Sequence, residues 1–211
     1  ADVAVLPRWI RVSQALEFVA GVHPRFDRAK AEGFLAKTTI NRNARVKQLS
    51  KGMVAQLHLA LVMAIDAKLL MLDEPTLGLD ILFRKQFYDS LLHDYFDRSR
   101  TIVVTTHQVE ELQHILTDLM FIDRGRIVLS CSMEELEGRY REVTVNPDEI
   151  AAARALKPMY ERQVFGRTIL MFDRIERERL TQFGEVRTPT ITDLFVAVMD
   201  NQAGKGRGVA E

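Results

Sequence analysis

Asp73 and Glu74 stand side by side behind an apolar run, Leu69 to Leu72, and ahead of Pro75. The run predicts a strand, and proline, with no N–H to give a ladder, ends it at the two acids. Adjacent carboxylates repel, so they suit a bound divalent cation or a proton-transfer role for one of them. Carboxyl ends of strands in an open α/β sheet are where ligands bind, which makes this placement chemical as well as structural. The commonplace role of such a pair is a helix cap or a solvated turn. Two further stretches bear on the choice. Ser50 stands before Lys51, Gly52 and Met53 as the N-cap of a helix running to about Ala64, whose first amides and positive dipole end suit a phosphate. His107 lies just past Thr101 to Thr105, a β-branched run predicted as a second strand.

The elements that must position these residues follow from periodicity. Val12, Ala15, Leu16, Val19 and Ala20 are spaced for a helix, Gly21, His23 and Pro24 break it, and a second helical pattern covers Asp27 to Ala36. Val54, Leu57, Leu61 and Ile65 share one face of the helix that Ser50 caps. Asp80 is placed to cap another, in which Phe83, Phe87, Leu91 and Tyr95 form a core row. A helix is expected after His107 with Val109, Leu112 and Leu116 on one side, then a hairpin of Leu119 to Ile122 and Arg126 to Leu129 with Gly125 in its turn. Alternating strands and helices predict a mostly parallel sheet.

Beyond Ser132 the pattern changes to a small α+β appendage. It predicts helices over Met133 to Arg141, Asp148 to Leu156, Glu176 to Phe183 and Thr192 to Met199. Strand material lies at Glu142 to Val145 and at Val164 to Phe172 around Gly166. Asp200 to Glu211 is Gly-rich and polar and reads as a disordered tail.

With 211 residues and 47% apolar content, the chain can bury a core for one large domain or one and a half. A net charge of zero removes the electrostatic case for nucleic acid as a partner. Cys131 is the one cysteine, so no internal disulfide forms, and a buried apolar role fits it best. The most apolar stretch, Met53 to Ile65, contains Gln56 and His58 and is too short to span a bilayer. Its first residues, starting at Ala1 and Asp2, lack an initiator methionine and the basic-then-apolar layout of a signal peptide.

Leu49-Ser50-Lys51-Gly52-Met53, then Leu69 to Asp80, then His107 resemble, in this order and spacing, the nucleotide-binding subunit of an ATP-binding cassette (ABC) transporter. Leu49, Ser50 and Gly52 match the family's Leu-Ser-Gly-Gly-Gln signature. The departures, Lys51 and Met53, are similar to those of cassettes serving ABC-2-type exporters. The resemblance implies that Leu69 to Asp73 is Walker B, Glu74 the catalytic glutamate, Leu77 to Asp80 the D-loop and His107 the switch histidine. Asp73 would hold Mg²⁺ at the β- and γ-phosphates through water, Glu74 would polarise the attacking water, and His107 would sense the γ-phosphate. Ser50 and Gly52, with Asp80, would meet ATP held by a second nucleotide-binding subunit in a head-to-tail dimer, as homodimer or heterodimer. The implied cofactors are ATP and Mg²⁺, the implied partner is an integral membrane permease, and the implied location of this subunit is cytoplasmic, peripheral at the inner face of the cell membrane.

The expected fold class is α/β: a partial P-loop NTPase core with a largely parallel sheet and a helical subdomain, plus a C-terminal α+β accessory domain. Its expected divisions are a truncated nucleotide-binding domain over 1–131, with the helical subdomain at about 1–66 and the motif-bearing core at 67–131, an accessory domain over 132–199 and a tail over 200–211. Gly-x-x-x-x-Gly-Lys-Ser/Thr occurs nowhere in the sequence; Gly204-Lys205-Gly206 lacks the upstream glycine and the following hydroxyl. The chain is therefore expected to lack the front of its cassette, and alone to bind ATP weakly and hydrolyse it barely. Two other classes stay open: a non-transport cassette of the translation or DNA-repair type, and a catalytically silent interaction module.

Overall fold

The computed structural model describes residues 6–96 and 99–206, which fall into two compact units, Ala1–Gln108 and Val109–Glu211. In the first, α1 (Val12–Val22), α2 (Arg28–Ala36) and α3 (Lys51–Met63) form the expected helical group. Asp27 caps α2, accepting the Lys30 N–H at 3.0 Å. The apolar stripes of the three helices close on one another through Val12, Leu16, Ala31, Leu35, Leu57 and Leu61, all buried. Two strands follow, β1 (Leu69–Asp73) and β2 (Thr101–Thr105), paired in parallel from Leu69 opposite Thr101 to Asp73 opposite Thr105. The crossover between them carries α4 (Ile81–Ser90), which runs into a π-helical turn over Leu91–Tyr95. Phe87, Leu91 and Tyr95 of the expected core row are buried and Phe83 is partly buried.

In the second unit β3 (Asp118–Asp123) and β4 (Arg126–Ser132) make the expected hairpin. Arg124 and Gly125, at φ 46° and 76°, take the two positive angles of a type I′ turn. Ser132 then caps α5 (Met133–Arg139) by accepting the Glu135 N–H at 3.0 Å. The remainder is β5 (Tyr140–Val145), α6 (Ile150–Arg154), β6 (Tyr160–Val164), β7 (Arg167–Asp173), α7 (Arg177–Leu180), β8 (Gly184–Arg187) and α8 (Ile191–Gly206). These strands form one antiparallel sheet in the order β6-β7-β5-β8. That order with β-α-β-β-α-β connectivity is the split βαβ, or ferredoxin-like, arrangement. One side buries Val143, Leu170, Phe172, Leu180 and Val186; a second core joins Tyr140 and Met171 to Leu119, Phe121, Leu129, Leu194 and Ala197.

Several expectations change. Parallel pairing is confined to β1 and β2; the other described strands pair antiparallel, β3 with β4 and β6 with β7 across tight turns. The segment after His107 forms a 3₁₀ turn, Val109–Glu111, rather than a full helix, and β3 begins at Asp118. Val164 to Phe172 is a hairpin about Phe165 and Gly166 rather than one strand, and α7 is shorter than predicted because β8 follows it. The two compact units divide after Gln108, and the apolar side chains of the β3-β4 hairpin cluster with those of α8. The predicted tail is helical as far as Gly206, because α8, anchored by Ile191, Leu194 and Ala197, propagates at little cost once nucleated. Residues 207–211 of that tail lie outside the described residues.

Candidate functional site

Because β1 and β2 run parallel and end level, Asp73 and Thr105 are register partners. The Thr105 hydroxyl donates to Asp73 Oδ1 at 2.5 Å, which fixes the carboxylate at the strand end. Glu74 follows with φ 44°, a left-handed angle for a residue with a Cβ, immediately before Pro75. Such strain costs on the order of 1–3 kcal/mol and persists only where the surroundings impose it. Here the Glu74 N–H donates to the Thr105 carbonyl at 2.9 Å, and the Glu74 carbonyl accepts the Leu77 N–H at 3.2 Å. Its side chain is turned to His107. Oε1 accepts the His107 N–H at 3.0 Å and lies 2.8 Å from His107 Nδ1. The carboxylate side chain is 28% exposed against 61% for the imidazole, so the acid is the sheltered member of the pair.

A second group of predicted residues meets at another opening in the same unit. Ser50 caps α3, its Oγ accepting the Met53 N–H at 3.1 Å, and Asp80 caps α4, its Oδ1 accepting the Phe83 N–H at 2.9 Å. Ser50, Gly52, Gly78 and Asp80, with Thr39 and Gln56, line a polar cleft of about 420 Å³. A Cβ added at Gly52 would lie 3.6 Å from the Gly78 carbonyl oxygen, an ordinary contact, so the chain's own packing does not demand glycine there. The turn from Pro75 to Asp80 is fixed from below: the hydroxyls of Thr76 and Tyr88, both buried, share a hydrogen bond of 3.0 Å. Gly78 has φ 80°, an angle glycine adopts without penalty, and Leu79 N–H returns to the Thr76 carbonyl at 3.1 Å.

Sequence reasoning singled out Asp73, Glu74 and His107 but not Thr105, Thr76 or Tyr88, whose roles depend on partners 32 and 12 residues away. Among the described residues no group of three or more His, Cys, Asp or Glu side chains is arranged to hold a metal. Asp73 beside the Thr105 hydroxyl offers one hard oxygen ligand. That share fits Mg²⁺, which keeps several waters and takes the rest of its shell from phosphate.

An Asp-Glu pair closing a parallel strand, a histidine beyond the neighbouring strand and a serine-capped helix thus lie in one α/β unit. Residues 8–77 match the model of the ABC transporter family, and the chain is similar to ATP-binding subunits of such transporters. A Nod factor export ATP-binding protein I from Neorhizobium galegae is 30% identical over 191 residues, covering 81% of this chain and 52% of that protein. The ABC transporter ATP-binding protein YtrB from Bacillus subtilis (strain 168) is 25% identical over 130 residues, 62% of this chain and 44% of its own. The chain thus spans about half the length of the curated relatives it matches. In fold it is similar to the solved ATP binding subunit of an ABC transporter, with TM-score 0.56 and 18% identity over 63% of this chain and 57% of that one. A structure described as a cobalt transport ATP-binding protein gives TM-score 0.53 and 16% identity over 79% and 60%.

Proposed function

We propose that these residues belong to the ATP-hydrolysing subunit of an ABC-2-type exporter, which dimerises head to tail around ATP beneath an integral membrane permease at the cytoplasmic face. The observation that carries this reading is the grip of His107 on Glu74 beside Asp73, at the ends of two parallel strands. Export is supported by relatives named for Nod factor export and by Lys51 and Met53 in the signature. Among the described residues no helix is long and apolar enough to cross a membrane.

Within the reaction, Glu74 polarises the attacking water, and its left-handed backbone aims the carboxylate from the turn rather than along the strand. His107 keeps that carboxylate in place through its backbone N–H and Nδ1; a protonated ring also donates through Nε2, which suits a γ-phosphate oxygen. Asp73, steadied by Thr105, would hold Mg²⁺, which would supply positive charge against the β- and γ-phosphates. Ser50 accepts a hydrogen bond from its own helix and still has a hydroxyl proton for a phosphate, while Gly52 leaves room for one to approach α3. Asp80 shapes the other wall of that cleft.

The test compares ATP turnover of the complete subunit with that of its Glu74→Gln variant, with size-exclusion chromatography in ATP. Turnover by the wild type and an ATP-bound dimer that stalls in the variant is the expected result. Unchanged turnover in Glu74→Gln removes Glu74 from the chemistry and the reading with it.

A further inference from the structure

Arg84 stands in the first turn of α4, where a cation opposes the helix dipole. Its side chain is not simply solvated there. Nε donates to the Leu79 carbonyl at 2.9 Å, and Nη1 donates to Gln108 Oε1. Leu79 belongs to the turn that ends at Asp80, and Gln108 directly follows His107, so one guanidinium joins two loops 24 residues apart in sequence. Both loops are braced internally as well: Leu79 N–H reaches the Thr76 carbonyl at 3.1 Å, and Gln108 N–H reaches Thr106 Oγ1 at 3.0 Å.

We propose that Arg84 is a positioning residue that locks the Asp80 turn to the His107 loop, so that a displacement of one is passed to the other. Arginine suits this task because its planar fork serves two acceptors in different directions, whereas a lysine offers a point charge on a flexible stem. Gln108 suits it because its amide oxygen accepts while its backbone stays tied to Thr106. The consequence for turnover rests on the ATPase reading above; the mechanical link does not.

Hydrogen exchange followed by NMR reads the link in the chain itself, at the Leu77, Leu79, His107 and Gln108 amides. Arg84→Met and Gln108→Leu are each expected to speed exchange at both loops by roughly fivefold or more, since each removes the shared contact. The double variant should be no faster than either single one, as for two ends of one interaction. Gln108→Glu, which retains an oxygen acceptor, should restore slow exchange at Leu77 and Leu79, and Arg84→Lys should not. Gln108→Leu leaving Leu77 and Leu79 at their wild-type rates would overturn the proposal. In the complete subunit, Gln108→Leu should lower kcat with KM for ATP unchanged, and Gln108→Glu should recover it. If Glu74→Gln leaves turnover intact while the exchange pattern holds, the ATPase reading fails and the link stands.

Discussion

Two hydrogen bonds to one carboxylate oxygen give Glu74 its direction, and one hydroxyl does the same for Asp73. Thr105→Val keeps the shape of the side chain and removes the donor to Asp73. The expected outcome is a stability loss of about 1 kcal/mol by urea unfolding, the usual net worth of such a bond. The Mg²⁺ concentration for half-maximal turnover of the complete subunit should also rise several-fold. His58, on α3, has a buried Nε2 without a hydrogen-bond partner among the described residues, and burial pulls its pKa below the usual 6.5. The folded state therefore binds that proton less readily than the unfolded chain. Its contribution is fully present above pH 6.5 and is lost as pH falls below that value. Urea midpoints between pH 7 and 5 should fall on acidification, and the His58→Leu variant should fall less steeply.

At the scale of elements, helix caps are the devices that join fold to site: Ser50 and Asp80 each start a helix and line the same cleft. In the second unit a different device fastens α8 to the sheet. Glu142 on β5 is 1% exposed and accepts from Arg162 on β6 and from Arg187 on β8, while Arg162 also bonds Asp193 on α8. A buried carboxylate stripped of a partner is costly, although Arg187 remains in place. Arg162→Met is expected to destabilise this unit by about 2–3 kcal/mol in urea unfolding, below the full loss of a buried pair because Arg162 is partly exposed.

For the molecule as a whole, the exposed side of the parallel pair sets its behaviour in solution. Parallel strands are ordinarily covered on both faces. Here Leu69 and Met71, on one face of β1, are 54% and 70% exposed, and Val103, opposite Met71, is 40% exposed. Contiguous apolar surface of this kind promotes association. Light scattering of the chain should show concentration-dependent self-association, and Met71→Lys should reduce it without altering the helical signal in circular dichroism. Unchanged scattering in that variant would shift the cause to other exposed apolar residues.

Local chemistry was legible from the sequence wherever the signal lay within a few residues. The cap at Ser50, the cap at Asp80, the strand ending at Asp73-Glu74 and the Gly125 turn each rest on neighbours in the chain, and each is formed as expected. The family, too, was legible, because its motifs are short and ordered along the chain. Tertiary structure alone decided which side chains hold those motifs still. Thr105 meets Asp73 only because two strands end in the same register, and Arg84 meets Gln108 only because α4 begins beside the loop after β2. It also decided the order β6-β7-β5-β8 and the extension of α8 to Gly206. Local propensity fixes where an element can start, but pairing and helix propagation depend on what the element packs against, and that partner lies far away in sequence.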